Sequence, residues 1–141
     1  MEWLILIGRI FWTMVFFGAG MGHLTQTDAM TDYAASKKVP FAELTVQVTG
    51  VVLVLSSLMV VLGVLADLGF LIQAVWVLVV AFWMHGFWRI DDPQARMMEM
   101  TQFNKNISLA GSGFALFVFF ALGGGEAFSL TITDSLFNLS L

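Results

Sequence analysis

The chain has 141 residues, 59% of them apolar and 11% charged, with a formal net charge of −4 and no cysteine. A mean hydropathy of +0.89 lies far outside the range of soluble domains and marks a membrane protein. The negative charge and the lack of any basic tract count against a nucleic-acid role, and the absence of cysteine excludes disulfides, thiolate metal sites, iron–sulfur clusters and cysteine nucleophiles from this chain.

Four stretches are long enough to cross a bilayer, at about 3–24, 44–65, 68–88 and 105–122. A hydrocarbon core of ~30 Å needs ~20 helical residues at ~1.5 Å each, so the fourth stretch spans only with help from its flanks. The expected fold is all-α: an integral membrane antiparallel four-helix bundle, one transmembrane domain over 1–141, with short interfacial helices after the first and third spans and an irregular tail at 123–141.

The first span lacks a basic leader and runs too long for a signal peptide, so it is expected to be retained. It carries Arg9 about 9 Å into the helix, where insertion scales charge up to ~2.5–3.5 kcal/mol for arginine at a helix centre. Arg9, Thr13, Phe16, Gly20 and His23 fall within about 40° on a helical wheel, and that stripe should face the bundle interior. Arg9 could alternatively snorkel, or pair with Asp67 or Glu126 on its own side. Gly18 and Gly22 form a GxxxG pair, which suggests close approach of a neighbouring helix.

From Thr25 to Pro40 the chain is polar, and "DAMTDYAASKK" has an acidic start and basic end that suit a short interfacial helix. In the second span Glu43, Gln47, Gly50, Val54 and Ser57 share an arc and are expected to turn inward, Gly50 as a packing position. "GVLADLG" at 63–69 leaves room only for a tight turn, which makes the second and third spans a hairpin. The third span offers Gln73, His85 and a separate line of Trp76 and Trp83. After it, Asp91 or Asp92 can cap a helix with Pro93 at its first position, and Met97, Met98 and Met100 give that helix an apolar side. Asn106, Ala110 and Gly113 form a narrow, polar-topped face on the fourth span. The tail from Gly123 is β-prone and amphipathic.

Lys37, Lys38, Arg89, Arg96 and Lys105 lie in the two loops at one side. By the positive-inside rule, loops 25–43 and 89–106 are cytoplasmic and both termini lie outside, as expected of a multi-pass protein of a prokaryotic inner or plasma membrane.

Small and polar residues on facing stripes are how membrane helices ordinarily pack, and either histidine alone could simply reach interfacial water. Together they are more informative. His23 ends the first span and His85 nearly ends the third, so both lie at one membrane face with Trp88, Lys105 and Asn106, the five candidate ligand-binding residues. A haem needs a better signal than one histidine pair at helix ends. A quinone or a lipid fits better, with an imidazole or amide as donor to a ring carbonyl, aromatic rings as walls and entry from the bilayer. No catalytic residue, resident cofactor or metal site is assigned. With no flavin or dinucleotide motif, any electron transfer would need partner redox subunits.

"IGRIFWTMVFFGAGMGHL", "AASKKVP", "FWMHGFW…DDPQARMMEMTQFNKNISLAGSG" and "GGGEAFSL", in that order, resemble the DoxX family of small four-helix membrane proteins over about residues 4–130. The resemblance implies an antiparallel bundle and carries the family's helix-1 arginine onto Arg9, its glycine-rich helix end onto Gly18, Gly22 and His23, and its Lys-Asn pair onto Lys105 and Asn106. It also implies association with membrane oxidoreductase or thiol-homeostasis assemblies, since the family takes its name from a subunit of a thiosulfate:quinone oxidoreductase; a distant eukaryotic branch resembles cargo receptors. Three roles follow. The first is an auxiliary integral subunit of a redox or respiratory complex, bordering a quinone or lipid pocket at the His23/His85 face. The second is a scaffold without ligand that docks on other membrane subunits through outward aromatics such as Phe117 and Phe119. The third is a small-molecule or lipid carrier using the Arg9–His23 stripe as its path.

Overall fold

The computed structural model describes residues 2–124, 130–137 and 139. In chain order the elements are α1 (Glu2–Thr25), α2 (Thr27–Ser36), α3 (Ala42–Leu62), α4 (Ala66–Met84), a short 3-10 turn (Phe87–Arg89) and α5 (Pro93–Phe119), which runs into a π-type turn (Phe120–Gly124). Among the described residues, four helices are long and apolar enough to cross a membrane, and the chain is a helical multi-pass membrane protein. α1 packs chiefly on α3 and α5 chiefly on α4, while the α3–α4 hairpin joins the two pairs.

Local sequence accounts for the boundaries. Gly63, at φ 68° and donating to the Met59 carbonyl, ends α3 in the left-handed region that glycine enters without steric cost. Asp92 caps α5 by accepting from the Ala95 amide, and Pro93 follows at the first helical position. The helix expected after the third span is there, but it does not stop: α5 continues through Asn106 into the fourth span, with no glycine or proline between 94 and 110 to break it.

The inward stripe of α1 is as expected, with Arg9, Thr13, Phe16 and Gly20 all buried. So is that of α5, with Asn106, Ala110 and Gly113 buried. α3 differs. Its buried residues are Val46, Gly50, Leu53, Ser56, Ser57 and Val60, whereas Glu43 and Gln47 are exposed and hydrogen-bond to each other at 3.4 Å. Gln47 lies one turn from the polar end of its helix, so it does not need the bundle interior for a partner.

The glycine contact also differs from the GxxxG expectation. A Cβ on Gly18 or Gly22 would meet nothing within 4 Å, whereas one on Gly20 would lie 2.9 Å from the Gly50 carbonyl oxygen and 3.0 Å from the Leu53 Cβ. The seam between α1 and α3 is therefore Gly20 against Gly50, because Gly20 is on the buried stripe and Gly18 is on the exposed face.

At the mid-bundle, Gln73 is fully buried. Its Oε1 accepts from Trp12 Nε1–H at 2.6 Å, and its amide donates to Ser57 Oγ at 3.2 Å and Ser56 Oγ at 3.4 Å. One side chain thus ties α1, α3 and α4 where no water is at hand.

The described part of the tail folds back over the end of the bundle opposite α2 and forms no strand there. The Ile132 and Thr133 amides donate to the Gly63 carbonyl, the Leu65 amide donates to Thr133 Oγ1, and the Phe137 amide donates to Asp67 Oδ2 at 2.8 Å. Arg9 neither snorkels nor pairs with Asp67 among the described residues. It is buried, and its Nη2 donates to the Leu130 carbonyl at 2.8 Å. Glu126, its other expected partner, lies outside the described residues. Phe117 is half-buried against Phe137, with ring centroids 5.5 Å apart, so only Phe119 of the two expected outward aromatics faces out.

Candidate functional site

α2 is short and polar on one side, and its C-terminal end is fastened to the bundle at two points. Trp83 Nε1–H donates to the Lys37 carbonyl at 3.2 Å, and Lys37 Nζ lies 3.1 Å from Glu99 Oε1 on α5. Held there, α2 contributes Met30, Tyr33 and Ala34 to a cavity of about 360 Å³ whose other walls come from α1, α3 and α4. That size falls in the usual range for a small-molecule site, about 300–1,000 Å³.

Both histidines line this cavity, with Trp76 and Trp83 among its aromatic walls. His23 Nδ1 lies 2.9 Å from Thr49 Oγ1. The Thr49 hydroxyl has one proton, which it gives to the Thr45 carbonyl at 2.7 Å, so Thr49 accepts and His23 donates through Nδ1. In the neutral ring the lone pair is then on Nε2. The His23 ring stands edge-on to Trp76, with centroids 6.2 Å apart. His85 Nδ1 lies 2.6 Å from Glu99 Oε2. An acceptor-only carboxylate fixes that nitrogen as the donor, which leaves Nε2 as the ring nitrogen not engaged by Glu99.

Glu99 is thus shared between His85 and Lys37, about two turns ahead of the apolar part of α5 and outside the membrane-spanning stretch. Partial burial acts to raise its pKa, but hydrogen bonds from His85 and Lys37, with the charge of Lys37, hold the carboxyl below its ordinary value. A depressed carboxylate stabilises the folded state above its unfolded pKa of ~4.3, and the contribution is lost as pH falls through the folded value. Glu99→Gln is therefore expected to cost about 0.5–1 kcal/mol at pH 7, modest because both partners are part-exposed. Unfolding curves of the two proteins should converge in acid, and a cost that persists there would contradict the assignment.

The other three candidates lie elsewhere. Trp88 packs in an aromatic cluster with Phe82, Phe87 and Phe103, at centroid distances of 6.4, 5.2 and 5.6 Å. Lys105 is exposed and hydrogen-bonds to Gln102. Asn106 is buried on the inward face of α5. None of the three lines the cavity of the histidines. Glu99, Tyr33 and Thr49 are not singled out by the sequence, and Lys37 enters there only as a loop cation. Glu99 was findable as the one carboxylate within the methionine-rich run of 97–100.

A family model described as DoxX matches residues 4–86, a stretch that includes Arg9, Gly18, Gly22, His23, Gly50 and His85 and stops short of Lys105 and Asn106. No curated protein and no solved structure matches the chain.

Proposed function

The chain belongs to the DoxX family, and from that premise we propose that it is an auxiliary integral membrane subunit of a redox or respiratory complex, bordering a quinone pocket. The observation that carries this reading is the convergence of His23 and His85 on one cavity between α1, α3 and α4, with His85 backed by Glu99. His85 Nε2, the ring nitrogen that Glu99 does not engage, can exchange a hydrogen bond with a quinone carbonyl or a quinol hydroxyl, and Trp76 and Trp83 offer flat apolar faces for the ring. Glu99, part-exposed at the α2 end, provides a route for a proton between His85 and water. The sequence supplies no electron-transfer motif, so electrons come from partner subunits in this scheme. Lys37, Lys38, Arg89, Arg96 and Lys105 support placing the α2 end in the cytoplasm of a prokaryotic cell, with the termini outside. A carrier role gains less support, because Phe16 and Leu53 are buried in the middle of the Arg9–His23 path.

The test uses the purified assembly. His23→Ala and His85→Ala should each lower quinone-linked turnover about tenfold or more, the equivalent of one lost hydrogen bond in a dry site, while the subunit stays in the complex. Unchanged turnover with the assembly intact would remove the quinone role and leave a scaffold.

A further inference from the structure

A second hollow opens on the outer side of α4 at the same end of the bundle. It is an open groove of about 710 Å³, lined by Leu78, Val79, Phe82 and Trp83 of α4 and by Lys37, Lys38 and Arg89 from the segments after α2 and α4. It shares Val79 and Trp83 with the histidine cavity and neither histidine. Its apolar floor is surface that faces lipid: Val79, Phe82 and Trp83 are each about half exposed.

Three cations line the groove and no carboxylate does. Lys37 is shared with Glu99, but neither Lys38 nor Arg89 has a carboxylate within 4.0 Å among the described residues. Nor are the lysines on a loose loop. The Lys37 and Lys38 amides donate to the Ala34 and Ala35 carbonyls at 3.1 and 2.9 Å, and Trp83 in the groove floor holds the Lys37 carbonyl. Lys38 sits at φ 60°, in the left-handed region that a lysine rarely adopts and that the surrounding bonds maintain.

A ligand for this surface must be anionic at one end and apolar over the rest, and must arrive within the bilayer. A soluble anion would leave the apolar floor unused, and a zwitterionic lipid brings no net charge to the cations. We propose that the groove is a binding site for an acidic glycerophospholipid of the adjacent leaflet, its phosphate held by Lys38, Arg89 and Lys37 and its acyl chain laid along Leu78, Val79 and Phe82. Basic residues near an anionic membrane surface each contribute to such binding, and pockets of them recognise acidic headgroups. The proposal does not depend on the quinone reading.

The test measures the affinity of the purified full chain in detergent for phosphatidylglycerol, phosphatidylcholine and inorganic phosphate. The unaltered protein should prefer phosphatidylglycerol. Lys38→Gln with Arg89→Gln should weaken that binding about thirtyfold, about fivefold per cation. Arg96→Gln with Lys105→Gln removes the same charge at the same end of the molecule and should leave the preference in place. Equal losses in the two double variants would reduce the effect to bulk charge and overturn the site. Binding of inorganic phosphate as tight as that of the lipid would overturn the lipid as its ligand. A measurement on the unaltered chain guards against misfolding of the variants: phosphatidylglycerol with brominated acyl chains should quench tryptophan fluorescence more than the brominated phosphatidylcholine at equal mole fraction, and equal quenching would also refute the proposal.

Discussion

Gly20→Leu is expected to cost the bundle about 3 kcal/mol or more, and Gly18→Leu, two residues earlier on the same helix, less than about 0.5 kcal/mol. The asymmetry follows from what each position meets. At Gly20 a single added Cβ already lies 2.9 Å from the Gly50 carbonyl oxygen and 3.0 Å from both the Leu53 Cβ and a Val54 methyl. The first two are a backbone atom and a Cβ, which cannot swing aside as the tip of a flexible side chain does, so α1 must move off α3. In a bilayer no hydrophobic force draws the helices back together, because lipid is as apolar as leucine. Gly18 faces open space and leucine is a strong helix former. Gly50→Ala should be intermediate, because its Cβ would press on the flexible Leu24 side chain at 2.9 Å and on the His23 Cβ at 3.0 Å. Unfolding titrations in denaturing detergent would measure the series, and equal costs for Gly18 and Gly20 would contradict the seam.

The second large effect is expected at Gln73. Gln73→Leu keeps the volume roughly constant and removes the three hydrogen bonds that join α1, α3 and α4. Hydrogen bonds between membrane helices average ~0.6 kcal/mol and reach ~1.7, so a loss of about 2 kcal/mol is expected, with the Trp12 N–H left unpaired in an apolar interior. Trp12→Phe removes that donor by itself. Combined with Gln73→Leu it should cost about 1 kcal/mol less than the sum of the two single changes, because the bond at 2.6 Å can be lost only once. Strict additivity would show that the pair does not interact.

How far the sequence alone reaches depends on what forces a side chain inward. The stripe of α1 is legible because Arg9 lies at a depth where lipid cannot satisfy it and its helical neighbours come inward with it, and that of α5 because Asn106 shares a face with the small residues Ala110 and Gly113, which let a neighbouring helix come close. The same reasoning misplaced α3, because Gln47 is near enough to a helix end to bond outward with Glu43; of the arc drawn through it, Gly50 and Ser57 are buried and Val54 is half-buried. GxxxG pointed to Gly18 and Gly22, yet the contact is at Gly20, because spacing identifies a face only after the stripe fixes which way it points. The tail was illegible for another reason. Its contacts run mainly through backbone groups, from the Ile132 and Thr133 amides to Gly63 and from the Leu139 amide to Ala121, and these leave no side-chain pattern.

At the candidate site, helix ends placed His23 and His85 at one face, and both line one cavity. The residues that complete it were hidden by distance along the chain. Glu99 is 14 residues beyond His85 and meets it only because the chain reverses through the 3-10 turn and α5 runs back along α4. Tyr33 and Thr49 became visible only once α2 was seen to close over the ends of α1, α3 and α4.

The most direct test of the account is whether this cavity takes a quinone. Titrating the purified chain in detergent with a short-tailed, water-soluble quinone should quench tryptophan fluorescence saturably, since Trp76 and Trp83 line the cavity. His85→Ala should weaken that binding about tenfold or more, and Lys38→Gln with Arg89→Gln, which line the adjoining groove and not this cavity, should leave it unchanged. Quenching that never saturates, or that saturates at the same concentration with and without the His85 imidazole, would contradict the quinone pocket.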